Sequence, residues 1–111
     1  MSGAIKHDGE KPRMSLLPPD VLISVAKVFT FGAKKYDAWN WTQGFDWSRL
    51  HDAAQRHLMA WSAGETLDPQ SGMPHLAHAL CELMMLAAHE LRGLGQDDRH
   101  VIKSKEPVDA P

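Results

Sequence analysis

Residues 74–93 read PHLAHALCELMMLAAHELRG, and this stretch decides the fold. Placed about 100° apart around a helix, Leu76, Leu80, Leu83, Met84, Ala87 and Leu91 make one broad apolar stripe. His75, His78, Glu82 and His89 make a narrow polar stripe opposite. The flanks between them are Ala77, Ala79, Cys81, Met85, Leu86 and Ala88, none of which solvates a helix. A helix apolar nearly all round is buried in a bundle or at an oligomer interface. The polar stripe therefore faces a lined cavity or a partner, with the outer face of an ordinary amphipathic helix as the alternative reading, and His89 also suits the negative end of a helix. Ser71 or Gly72 caps this helix, Pro74 sits in its first turn, and Gly93 ends it.

Working outward, the loop GETLDPQSG at 64–72 joins it to an earlier helix, which Ser48 caps and which runs to about Ala63 before Gly64. Leu50, Ala54, His57 and Trp61 share one face of that helix, and Asp52 and Arg56 are spaced to pair on another. Residues 35–47, KYDAWNWTQGFDW, form an aromatic-rich loop. The segment from Asp20 to Lys34 aligns Val21, Val25, Val28 and Gly32 on one helical face, though its Val, Ile, Phe and Thr content also suits a strand. Residues 1–19 are irregular, broken by Gly3, Gly9, Pro12, Pro18 and Pro19. The expected architecture is an all-α small helical bundle over residues 1–94, followed by a polar, mobile tail at 95–111.

The 111 residues fit one domain at the small end of the size range. A net charge of -2 supplies no basic field for stable nucleic-acid binding. The lone Cys81 cannot form an internal disulfide and reads as a packed thiol. MSGAIKHDGEKPR has no apolar signal region, and no apolar run reaches membrane-spanning length, so a cytoplasmic protein without membrane attachment is expected.

The residues able to carry chemistry cluster between Asp52 and Glu82: Asp52, Arg56, His57, Glu65, Asp68, His75, His78 and Glu82. Glu65 and Asp68 form a Glu-x-x-Asp pair near the hairpin turn. Hard cations such as Mg2+ or Mn2+ prefer carboxylate oxygens and bridge them to phosphates, while imidazoles at His75 and His78 shift preference toward Mn2+, Co2+ or Zn2+. The same acids also read as solvated loop residues, with Asp68-Pro69 as turn chemistry. On its apolar face His57 reads as a hydrogen-bonded core residue as well as a ligand. Arg56, Lys11, Arg13, Lys34 and Lys35 can hold phosphates or stand as scattered surface cations. Tyr36, Trp39 and Trp41 can stack a nucleobase or close a small core.

The ordered segments KHDGEKPRMSLLPP, FGAKKYDAWNW, RLHDAAQRHLMAW and GETLDPQSGMPHLAHAL, spanning Lys6 to Glu90 with their neighbours, resemble the dATP/dGTP diphosphohydrolase N-terminal family of phages. That family is similar in outline to the all-α MazG-like nucleoside triphosphate pyrophosphohydrolases. The resemblance implies a helical, oligomeric enzyme (a homodimer or higher homo-oligomer) that cleaves dGTP or dATP to the monophosphate and pyrophosphate in phage nucleotide metabolism. It assigns substrate binding to Lys11, Lys35, Tyr36, Asn40, Trp41 and Arg56, and a divalent metal, Mg2+ or Mn2+, to Glu65, Asp68 and His75. Asp52 and His57 are then the candidates to orient or deprotonate the attacking water. One departure stands out: the MazG-like pattern puts Glu-Glu-x-x-Glu on one helix and Glu-x-x-Asp on the next, whereas here the first helix offers Asp52 and His57 and the Glu-x-x-Asp lies at a turn.

Two rival readings follow from the residues. The literal His51-Asp52 pair suggests an HD-type phosphohydrolase, which would release triphosphate. The thinned carboxylate set suggests a non-catalytic accessory protein that binds nucleotides or a host partner.

Overall fold

The computed structural model describes residues 3–102. Helices Pro19–Tyr36 (α1), Trp47–Ser62 (α2) and His75–Arg92 (α3) carry the chain, with 3-10 turns at Met14–Leu16 and Asn40–Gln43. No strand forms among the described residues, and the ambiguous segment after Asp20 is helical, as the all-α expectation requires. No helix among them is long and apolar enough to cross a membrane.

The helix ends differ from expectation in instructive ways. Asp46, in extended backbone, is the N-cap of α2, and Ser48 lies inside the first turn. Ser48 donates its N–H to Asp98 Oδ1 (2.8 Å) and its hydroxyl to Asp98 Oδ2, so its polar groups serve a distant segment instead of a cap. Pro74 is itself the N-cap of α3, which leaves Ser71 and Gly72 in the loop before it. The missing proline N–H is no loss there, because the first N–H groups of a helix have no internal partner. Gly93 adopts the left-handed conformation (φ 67°) that closes α3, as expected.

α3 packs against both α2 and α1. Val25 and Val28 of α1 meet Ala77 and Cys81 of α3, with Phe29, Met73 and Met85 around them. The small Ala77 and Cys81 let α1 approach closely, and Leu50 and Ala54 bury the facing side of α2. Only seven apolar side chains are fully buried among the described residues: these six and Ala79.

The polar stripe of α3 is the inner one. His75, His78 and His89 are buried, while Leu76, Leu80, Leu83, Met84 and Leu91 are between 38% and 86% exposed. The helix thus turns its imidazoles into the protein and leaves its leucines outside.

Residues 95–99, counted with the tail in the sequence, are hydrogen-bonded to the start of α2. Trp47 N–H donates to Gln96 O (3.0 Å), Gln96 N–H to Phe45 O (3.2 Å), and Trp47 Nε1 to Leu94 O (2.8 Å). Arg99 lies over the Trp47 ring while pairing with Asp97 at 2.7 Å. Residues 103–111 of the expected tail lie outside the described residues.

Candidate functional site

A groove of about 870 Å3 opens beside α3. The C-terminal half of α1 and the loop after it supply one side, from Val28 to Ala33 and from Lys35 to Trp41, with Phe45. Arg49, Asp52, Arg56 and His57 of α2 supply the other, and His78, Cys81, Glu82 and Met85 of α3 complete it. Asp68 and Gln70 close one end. One region is therefore aromatic and the other is titratable.

The aromatic side is built by a loop held under strain. Asp37 and Trp39 both have positive φ (75° and 64°) without being glycine, a conformation that costs on the order of 1–3 kcal/mol and persists only where the surroundings enforce it. Trp39 lies 6.0 Å from Trp41, and Trp41 stacks on His89 at 6.1 Å. His89 is fully buried; its Nδ1 faces the Met85 carbonyl at 2.7 Å and its Nε2 accepts the Phe45 N–H at 3.1 Å. These partners assign the proton to Nδ1. His89 is thus a clamp for the aromatic loop, and its place in the polar stripe reflects packing rather than ligation. Trp39 remains 67% exposed beside the groove.

The titratable end rests on the loop between α2 and α3. Asp68 accepts the Ser71 N–H at Oδ2 (3.2 Å), Gly72 N–H donates to the Asp68 carbonyl (2.7 Å), and Asp68 N–H donates to Met73 O (2.8 Å). Asp68 therefore does the turn chemistry that Asp68-Pro69 announces, and its carboxylate also meets the groove. Burial tends to raise the Asp68 carboxyl, but the hydrogen bonds from Ser71 and Gln70 outweigh it and hold the group below its ordinary value. Ser71 Oγ contacts His78 Nε2 at 2.6 Å, and Asp68 Oδ2 lies 3.6 Å from the same nitrogen.

His57 stacks face to face on His78, with centroids 4.5 Å apart and planes 7° from parallel. Its Nδ1 lies 2.9 Å from His75 Nδ1, and His75 Nε2 lies 2.7 Å from Glu65 Oε1. Burial lowers the pKa of His57, and the neighbouring His78 and His75 lower it further. Burial likewise lowers His78, against the opposing pull of Asp68. Both rings are kept in the uncharged form that can accept a proton. Burial raises the Glu82 carboxyl, partly offset by Arg56. Burial, and then Glu82, push the Cys81 thiol up to about 12, so it is a packed thiol rather than a nucleophile.

The structure sorts the residues named from sequence. Lys35, Tyr36, Asn40, Trp41, Asp52, Arg56, His57 and Asp68 share the groove. Lys11 does not; it lines a separate shallow hollow in the N-terminal arm with Lys6 and His7. The expected Asp52–Arg56 pair does not form among the described residues, where Asp52 instead sits 3.6 Å from His51. Of this adjacent pair only Asp52 lines the groove wall; His51 lies outside it. Arg49 and Gln70 also face the groove and were missed. Arg49 has no distinguishing motif, and Gln70 reads as an ordinary loop residue until the hairpin closes.

The metal set Glu65, Asp68 and His75 is not gathered. His75 spends both ring nitrogens on Glu65 and His57, and Asp68 is turned to Ser71 and His78. Among the described residues no three His, Cys, Asp or Glu side chains are arranged around one ion position. These three residues do not fit a resident divalent cation.

Residues 2–99 match the family described as "dATP/dGTP diphosphohydrolase, N-terminal". A dATP/dGTP diphosphohydrolase of Salmonella phage PMBT28 is 38% identical over 82 residues, which are 74% of this chain and 28% of that relative. The chain thus spans less than a third of the length of the relative it matches. No solved structure matches it significantly.

Proposed function

The chain belongs to the dATP/dGTP diphosphohydrolase N-terminal family, and from that premise we propose that its groove hydrolyses a purine deoxynucleoside triphosphate, dGTP or dATP, to the monophosphate and pyrophosphate. The observation that carries this reading is the division of one groove into an aromatic side and a titratable end. The purine stacks beside Trp39 and Trp41 with Tyr36 and Asn40 near it, since aromatic faces hold any base by stacking. Lys35, Arg49 and Arg56 offset the triphosphate charge.

A water beside His57 gives up its proton to that ring as its oxygen attacks the α-phosphorus. The bond to the β-phosphate bridging oxygen breaks, and pyrophosphate leaves with the electron pair. The cationic side chains stabilise the charge that grows on it. Asp52, on the same wall as His57, orients the water. Mg2+ or Mn2+ would come with the triphosphate as its counter-ion rather than as a resident ion, and would offset phosphate charge there, with Asp52 or Asp68 on the groove wall as a carboxylate that could meet it. Co2+ and Zn2+ are alternatives to be compared.

The setting is the nucleotide pool of a phage-infected cell, and the functional unit is a homo-oligomer joined across the exposed leucines of α3. Chromatographic identification of the products from dGTP, dATP, dCTP and dTTP, each with Mg2+, Mn2+ or Co2+, tests the reading. Monophosphate and pyrophosphate from the purine substrates are expected. Release of intact triphosphate would indicate HD-type chemistry, and no turnover with any pair would leave a nucleotide-binding accessory.

A further inference from the structure

His57, His75 and Glu65 form an unbroken line of contacts at 2.9 and 2.7 Å. Only one end of it, His57, reaches the groove. His75 is 4% exposed and is not itself part of the groove wall, while the Glu65 side chain is 51% exposed at the far end. A line so arranged does not gather around a substrate or an ion; it runs from solvent to one groove side chain.

The direction of each hydrogen bond follows from the chemistry of its ends. A carboxylate offers only acceptors, so Glu65 takes the proton of His75 Nε2–H. A neutral His75 with its proton on Nε2 has a bare Nδ1, which must accept. Its partner there is His57 Nδ1, which must therefore carry the proton and donate it. His57 is left with Nε2 as its unprotonated nitrogen. One exposed carboxylate thus fixes the tautomer of two rings in succession.

We propose that Glu65 and His75 are positioning residues that hold His57 as the proton acceptor of the groove, with Nε2 bare. The chemical consequence of this arrangement rests on the hydrolysis proposed above; the arrangement itself does not. When the water's proton moves to Nε2, its oxygen bonds to the α-phosphorus and pyrophosphate departs. His57 then carries protons on both nitrogens, and its Nδ1–H remains donated to His75. No proton need travel to Glu65, whose negative charge at the end of the line favours the charged ring. The stacked His78 fixes the ring plane, and its own Nε2 is occupied by Ser71, so it does not compete for the role. The burial that lowers the pKa of His57 keeps Nε2 available near neutral pH.

The test is long-range 1H–15N NMR of the full chain with 15N-labelled histidines, above the pH at which they titrate, with rings assigned through His57→Gln and His78→Gln. The expected pattern is a protonated Nδ1 and bare Nε2 on His57, and the reverse on His75. Glu65→Leu, at a half-exposed position that tolerates change, should return both rings to mixed tautomers. The same change should lower kcat about 10-fold or more with KM moved less, the loss expected when a general base is misoriented. Glu65→Gln, which keeps an acceptor oxygen without the charge, should keep the tautomers and recover part of kcat. A wild-type His57 with its proton on Nε2 overturns the proposal. So does an unchanged kcat in Glu65→Leu. Zn2+ added alone that binds Nδ1 of both rings also overturns it, since a metal-bound nitrogen cannot carry the shared proton. A wild type inactive on every nucleotide would sink the proposed hydrolysis, and the NMR pattern would still decide the tautomers.

Discussion

The Nε2 atom of His89 accepts the backbone N–H of Phe45 at 3.1 Å, joining the most deeply buried side chain of α3 to the aromatic loop 44 residues earlier. The same ring stacks on Phe45 and Trp41 at 6.2 and 6.1 Å. His89→Leu keeps the volume but leaves the Phe45 N–H without its partner. An unsatisfied buried donor costs about 1–3 kcal/mol, so urea unfolding should show a loss of that size. An unchanged midpoint would mean that the loop is held by its aromatic contacts alone.

Next to this clamp, Gly95 lies so close to Phe45 that a Cβ on it would sit 2.0 Å from the Phe45 carbonyl oxygen and 3.0 Å from His89 Cδ2. Its φ of +65° is also in the left-handed region. Gly95→Ala should therefore cost well beyond the roughly 1–2 kcal/mol of a left-handed backbone alone. Gly64→Ala isolates that backbone cost, because φ there is +100° with nothing within 4 Å. Gly9→Ala, in open space, should be silent. Thermal melts of the three variants should rank in that order, and a Gly95→Ala melt equal to that of Gly64→Ala would refute the close approach.

α2 and α3 were legible because their periodicity is strong, whereas the β-branched content of α1 also suited a strand, and the polar stripe of α3 was legible as inward-facing because its flanks are alanine, cysteine and methionine. Membership of the groove was half legible. Spacing groups Asp52 with Arg56 but sets His57 on the other, apolar face of the same helix, and all three line the groove. Which nitrogen meets which carboxylate was not legible: Glu65, Asp68 and His75 are near in sequence, yet the loop hydrogen bonds turn Asp68 to Ser71 and leave Glu65 to His75. Linear spacing gives proximity and loop closure gives direction. The reach of residues 95–99 back to Trp47 was hidden for the same reason, since polar tail residues carry no mark of a partner 50 positions away.

Trp39 combines exposure, a positive φ and a place on the groove wall. Trp39→Gly relieves the left-handed backbone and removes the stacking surface at once. Stability should hold or rise while KM for dGTP increases, because base stacking is worth about 1–3 kcal/mol per base. A variant that is less stable with an unaltered KM would make this tryptophan a packing residue. Calorimetry and steady-state kinetics on the same preparation separate the two.

The groove histidines set the direction of a pH effect. Burial first, and then neighbouring imidazoles, depress His57 below its ordinary value of 6.5, and burial depresses His78. The unfolded chain therefore binds protons that the folded protein refuses as pH falls below that value. Their contribution is complete above about 6.5 and is lost as pH drops from there through the lower folded values. Asp68, also depressed, contributes stability above its ordinary 3.8 and loses it at still lower pH, so the two windows are separate. Melting temperature should decline between pH 7.5 and 5.5, with the slope reduced in His57→Gln/His78→Gln. A flat wild-type profile across that range would contradict the buried placement of both rings.

The outward leucines of α3 carry the last expectation. With seven apolar side chains fully buried among the described residues, the core is thin for a domain of this length. Leu76, Leu80, Leu83 and Met84 follow one another along one helix face at 38–48% exposure, an apolar strip that a single chain leaves in water. Pairing this strip with its copy in a second chain would remove it from water and add to both cores at once. Association then contributes to folding, and the melting temperature should rise with protein concentration. Leu80→Arg/Met84→Arg places two charges on the strip without touching the groove. That variant should scatter light as a monomer and melt lower, at a temperature independent of concentration. A wild type that is monomeric throughout, with the same melt at every concentration, would assign the strip to some other partner.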